Sequence, residues 1–182
     1  RSESPVRTLG GGRLLAISDS RPRLRAEDAR AEMTVLASGD VASVLRMRCR
    51  QAEPAPLDLE AFAVGERFTL EHVGKAARAL GLVAIDGGVV RPDLIDATEE
   101  NLVDAVRRLR EADVLTAQFS LESIRGSFAA EVNAAVLDAA ADNLVARGEL
   151  VREDGKLGLP GDDPFAGVSA AERALFESIA GA

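Results

Sequence analysis

Leu82-Val83-Ala84-Ile85-Asp86-Gly87-Gly88-Val89-Val90-Arg91 is two short apolar, β-branched pieces around a glycine-bearing turn, the pattern of a β-hairpin. Just before it, Thr69 is placed to N-cap a helix whose apolar stripe is Leu70, Val73, Ala77 and Leu80. Gly81 suits the C′ position of that helix, where a left-handed residue closes the last turn. A short helix is expected over 57–64. Further back, helical patterning starts near Ala26, falters at Ser38-Gly39-Asp40 and resumes with Asp40 as N-cap. Val41, Val44, Leu45 and the stem of Arg48 share one face of that second piece, which Pro54 and Pro56 end.

The same order then recurs. Residues 98–111 form an amphipathic pattern with Leu102, Val103, Val106 and Leu109 on one side and Arg107, Arg108 and Arg110 outside or flanking. A short helix is expected over 120–125 and a long one over 129–147, its stripe Val132, Val136, Ala140 and Leu144 and its C′ residue Gly148. Residues 149–159 give a second hairpin around Asp154-Gly155. Gly81 and Gly148 lie 67 residues apart, as do Gly88 and Gly155, and the prolines that close the hairpins, Pro92 and Pro160, lie 68 apart. Ser169-Ala170-Ala171-Glu172 has capping-box spacing before Leu175, Phe176 and Ile179, the expected start of a third copy.

Three helices followed by a two-stranded hairpin is the plan of a winged helix, so the predicted fold class is mainly α with short β-hairpins, in tandem winged-helix domains. The predicted organisation is two strand pieces over 1–17, a linker over 18–25, one repeat over 26–92 and a second over 93–161. A linker over 162–168 and a truncated third repeat over 169–182 complete it. In this plan each hairpin covers the end of its own three-helix core.

Composition narrows the function classes. The 182 residues carry 22 Lys+Arg, 30 Asp+Glu, one His and one Cys, a net charge of −8. Apolar residues reach 47% with six Phe and no Trp or Tyr, so the cores are built from Ala, Leu and Val. No run of about 18 apolar residues occurs, and no membrane partner is expected. The chain begins with Arg, lacks a secretory pattern and reads as a cytoplasmic piece of a longer protein. Residues 1–50 hold ten Lys+Arg against six Asp+Glu, and residues 51–182 hold twelve against twenty-four. Such an acidic body argues against broad attraction to phosphate backbones.

Catalytic, cofactor and metal sites are not expected in this chain. His72 is the single histidine and reads as a solvated residue of a helix surface. Cys49 lies between Arg48 and Arg50, which is either a thiol acidified by its neighbours or a small, partly buried residue, the reading preferred here. Glu99-Glu100 and Asp162-Asp163 read as helix N-terminal stabilisation and linker solubility. Gly10-Gly11-Gly12 is followed by Arg13-Leu14-Leu15, not by the Lys-Ser or Lys-Thr of a phosphate loop. In helix-turn-helix folds the third helix enters a groove. The outward face over 69–80 carries Glu71, His72, Lys75 and Arg78, and Lys75 and Arg78 are the nucleic-acid contact candidates. Over 129–147 the outward face carries Glu131, Asp138 and Asp142 against Arg147, which repels phosphate.

The stretch Arg7-Thr8-Leu9-Gly10-Gly11-Gly12-Arg13-Leu14-Leu15 resembles the R-T-[IL]-G-G-G-R-[VL]-L strands that end the EF-Tu-like third domain of the bacterial selenocysteine-specific translation elongation factors, so residues 1–17 are expected to be the end of an EF-Tu-like β-barrel domain. Residues 128–161 resemble the end of the second of that family's four winged-helix domains, and 169–179 the start of the third. One departure is Asp162, where the family's pattern leads one to expect a His after Leu-Pro-Gly. The resemblance implies a parent GTPase that binds GTP and selenocysteinyl-tRNA through domains outside this chain. It also implies recognition of an insertion hairpin in the mRNA through the last winged-helix domains and delivery to a ribosome at UGA. This segment would then be a non-catalytic arm between the two ends. The alternatives are a tandem winged-helix DNA-binding transcriptional regulator and a protein-interaction scaffold.

Overall fold

A computed structural model describes residues 26–113, 116–128 and 131–162. Their elements run α1 (Ala26–Ser38), α2 (Val41–Ala52), α3 (Leu59–Glu66), α4 (Leu70–Ala79), β1 (Val83–Ile85), β2 (Gly88–Val90), α5 (Pro92–Ala112), β3 (Gln118–Ser120), α6 (Leu121–Gly126), α7 (Ala134–Ala146), β4 (Val151–Glu153) and β5 (Lys156–Gly158). The described residues are mainly helical, with two small antiparallel sheets. The strand pieces expected over 1–17, the linker over 18–25 and the helix over 169–182 lie outside the described residues.

Contacts divide these elements into two units, residues 26–51 with 59–80, and residues 52–58 with those from 81 onward. In the first, α2 buries Val44, Leu45 and Cys49, α3 buries Phe62 and Ala63, and α4 buries Val73 and Ala77. Arg48 ties three helices together: its Nε lies 2.7 Å from Glu66 Oε1 on α3 and its Nη1 3.0 Å from Glu32 Oε1 on α1. The expected caps are present. Asp40 Oδ2 accepts from Ser43 N at 2.9 Å and from Ser43 Oγ at 2.6 Å, and those bonds hold its carboxyl below the usual range. Thr69 Oγ1 accepts from His72 N at 3.3 Å, and Gly81 follows α4 with φ +65°. Leu70, expected in the buried stripe, is instead 51% exposed, because the first residue of α4 projects past the core that Val73 and Ala77 enter.

The second unit packs α5 on α7, with Leu102, Ala105 and Val106 of α5 against Leu137, Ala140, Ala141 and Leu144 of α7. Ile124 of α6, Phe119 of β3 and Leu157 of β5 close this core. The strand order is β3-β5-β4, antiparallel throughout, with Phe119 opposite Leu157 and Arg152 opposite Leu157. Asp154 and Gly155 both take positive φ (+48° and +75°), the left-handed pair of a two-residue type I′ hairpin turn.

Several expectations are corrected. The helix expected to start at Thr98 starts at Pro92, which opens α5 instead of closing a hairpin; a proline at the first helical position loses no hydrogen bond there. Thr98 is buried mid-helix, its hydroxyl donating to Leu94 O at 2.7 Å. The helix expected from 129 starts at Ala134, where Asn133 Oδ1 accepts from Ala135 N at 2.9 Å and so caps the end. Leu57 is not helical: it pairs with Val89 through two backbone bonds of 2.9 and 3.0 Å, and α3 begins at Leu59. The hairpin turns coincide at Gly87 and Gly155, 68 residues apart, whereas Gly88 is the first residue of β2. Strand β3 has no counterpart among the elements the sequence pattern predicts.

The first hairpin groups with the second unit. Val83, Ile85 and Val90 pack with Ile95 of α5 and with Val136 and Ala139 of α7. Only Arg91 separates β2 from Pro92, so the strand runs straight into α5 with no linker to release it.

Candidate functional site

The third-helix faces singled out in the sequence are α4 in the first unit and α7 in the second. On α4, Glu71, His72, Lys75 and Arg78 are all exposed, since Val73 and Ala77 take the inward positions four residues apart. Lys75 Nζ lies 2.6 Å from Glu71 Oε1, one helical turn away, with both side chains largely in water. Arg78, in the last turn of α4, therefore carries most of the positive charge that this face presents. The candidates Lys75 and Arg78 are thus side by side on one exposed face, with Glu71 neutralising part of it.

On α7 the balance is reversed. No Lys or Arg lies within Ala134–Ala146, and Asp138 and Asp142 are exposed. Arg152, on β4, extends to Asp142 Oδ1 at 2.6 Å. Arg147, expected as the outward cation of this helix, is drawn aside: its Nη2 lies 2.5 Å from Glu99 Oε2 and its Nε 2.7 Å from Glu149 Oε1. Those two carboxylates raise the Arg147 pKa well above the ordinary guanidinium value. Glu131 is exposed but precedes the helix.

Glu99 is the partner that the sequence hid. Because α5 begins at Pro92, Glu99 sits in mid-helix and is 7% exposed, so it cannot act on the helix N-terminus as its pairing with Glu100 suggested. Its Oε1 accepts from Asn143 Nδ2 at 2.9 Å. Burial pushes its carboxyl up, and the hydrogen bonds from Arg147 and Asn143 more than offset that, leaving it below the usual range. An open groove of about 490 Å³ runs beside this cluster, lined by Asp96, Glu100, Asp104 and Glu149 together with Arg107 and Arg147.

The second acidic pair also departs in part from its expected role. Asp162 takes Arg110 Nε on Oδ2 at 2.5 Å and Nη2 on Oδ1 at 3.1 Å, so this carboxylate is structural and Arg110 does not face outward. A signal for both pairs existed only in three dimensions, since the partners are 48 and 52 residues apart.

In total, the described residues of the first unit hold seven Lys and Arg against seven Asp and Glu, and those of the second hold eight against eighteen. Cys49 is 3% exposed, the buried alternative of the two weighed for it. His72 is exposed on α4. Among the described residues, no group of three or more His, Cys, Asp and Glu is placed to hold a metal ion, and no helix is long and apolar enough to cross a membrane. No known family model matches the chain, and no curated protein matches it.

Proposed function

We propose that this chain is a non-catalytic spacer and binding segment built from tandem winged-helix domains. The element order α5, β3, α6, α7, β4, β5, with β5 between β3 and β4, supports that fold for the second unit. The first unit, with the hairpin after it in the chain, repeats the order with Leu57 standing where β3 stands. The observation that carries the spacer reading is the excess of carboxylates over cations along α7. Its one flanking Arg is held by Glu99 and Glu149, and the unit around it is strongly acidic. A helix that inserted into a groove would meet phosphates with carboxylates, which costs binding free energy instead of supplying it.

Together with the resemblance of residues 7–15, this acidic character supports reading the segment as part of a selenocysteine-specific elongation factor. It would hold the domains that bind GTP and selenocysteinyl-tRNA apart from those that bind the mRNA hairpin. An acidic arm suits that task because it is repelled by the ribosomal RNA it passes. The test removes residues 26–161 from the parent protein and measures UGA readthrough in a reporter. Abolished insertion with unchanged GTP and hairpin affinities supports the proposal, and full insertion refutes it. The DNA-regulator alternative requires a salt-sensitive duplex affinity, against which the α7 face speaks. The scaffold alternative is favoured by one observation: Val64 is 80% exposed, and Leu70 and Met33 are each 51% exposed, in the first unit. Pull-down by the isolated chain that is lost in Val64→Ser would support it.

A further inference from the structure

We propose that the Arg110–Asp162 pair is a clasp that fixes the direction in which the chain leaves the second unit. Arg110 lies in the last turn of α5, and Asp162 is the last residue after the β5 hairpin that the structure describes. The contact is fork to fork: two roughly parallel N–H···O bonds, Nε to Oδ2 at 2.5 Å and Nη2 to Oδ1 at 3.1 Å. One charge contact limits only a distance, whereas a bidentate pair also limits the angle between the two groups. Both side chains are withdrawn from water, 19% and 20% exposed, so solvent screens the pair less than a surface one.

The rest of the turn is tied down as well. Leu159 packs on the α5–α7 core, Gly161 takes φ +73°, and Asp162 N donates to Leu159 O at 3.3 Å. Arg110 Nη1 meanwhile donates to Asp113 O at 3.4 Å, which braces the guanidinium against the end of α5. Packing, a tight turn and an oriented ion pair thus act within four consecutive residues. The turn is therefore held as far as Asp162. The clasp deepens the spacer reading and rests on that reading for its use, since an arm must hold its direction to set a distance. The geometry stands without it, so the experiment measures orientation and not insertion.

Spin labels are attached at Glu122→Cys, exposed on α6, and at Ala166→Cys, just beyond the clasp, in the full chain with Cys49→Ala. Electron–electron distance measurements then compare this parent with Asp162→Asn, which keeps the volume, and Arg110→Lys, which keeps the charge but not the fork. The clasp predicts a narrow distance distribution in the parent that widens by about twofold or more in both variants, because a single contact leaves the angle free. Circular dichroism identifies a variant that has lost its helices, in which case the other variant decides. Distributions no wider in the folded variants than in the parent overturn the proposal.

Discussion

Replacing Gly88 by Ala tests the crossing of Leu57 over the first hairpin. Gly88 has φ +146°, a conformation that side chains of L-residues rarely adopt, and an added Cβ would stand 2.2 Å from Leu57 O and 2.6 Å from Leu57 C. The backbone conformation alone costs an alanine about 1–3 kcal/mol. The Cβ cannot be accommodated unless Leu57 retreats, and its two bonds to Val89, of 2.9 and 3.0 Å, then go with it. At about 0.5–1.5 kcal/mol net for each bond, the total loss is about 2–6 kcal/mol. Gly155→Ala is the matched control, since φ there is +75° but nothing lies within 4 Å of the new Cβ. Its cost is the left-handed conformation only, about 1–2 kcal/mol. The chain has no Trp or Tyr, so urea unfolding is followed by far-ultraviolet circular dichroism. Equal losses at the two positions, or a smaller loss at Gly88, would show that no backbone crosses there, and the equivalence of Leu57 with β3 would fail.

Other outcomes rest on the same geometry. Glu99 has a folded-state pKa below its ordinary 4.5, so its contribution is present above about pH 4.5 and is lost as pH falls through the lower folded value. Glu99→Gln should therefore flatten the acid limb of a stability-versus-pH curve measured between pH 3 and 7, and an unchanged limb would contradict the Arg147–Glu99–Asn143 cluster. Leu144→Ala, at a side chain 1% exposed in the α5–α7 core, should destabilise by about 2–5 kcal/mol in the same urea assay. Val64→Ala, at a side chain 80% exposed, should change stability by less than about 0.5 kcal/mol. If the α4 face touches RNA, Lys75→Ala with Arg78→Ala should weaken binding and lower the salt slope by about 1–2 units in a titration with single-stranded RNA; no change would remove both residues as contacts.

Most local features were legible from residues close in sequence. Thr69, Asp40, Gly81 and Gly148 mark helix ends because a cap is a contact between residues two to four apart, and the sequence states it directly. The hairpins at 83–90 and 151–158 are equally local, since two residues in special conformations set their register. The stripes Val44-Leu45, Val73-Ala77 and Leu102-Val106 point inward as their spacing demands. Each of these is decided within one turn of helix or one hairpin.

What only the tertiary structure decided depends on partners far along the chain. Strand β3 is three residues with one buried side chain, too short for a period, and exists because β5 lies beside it some 38 residues later. Leu57 reads as the opening of a helix until Val89 supplies its hydrogen bonds. Glu99 reads as a stabiliser of a helix N-terminus and Asp162 as a solvated linker acid, because nothing near them in sequence reveals Arg147 and Arg110. That is the limit of local reading for function as well. Which charges face water, and so whether a helix attracts or repels a phosphate, is fixed by pairs that folding brings together from about fifty residues apart. The sequence alone determined the order of the helices, most of their caps, the hairpins and that the body is acidic; folding decided where α5 and α7 begin, that β3 exists, and which charges are spent on each other.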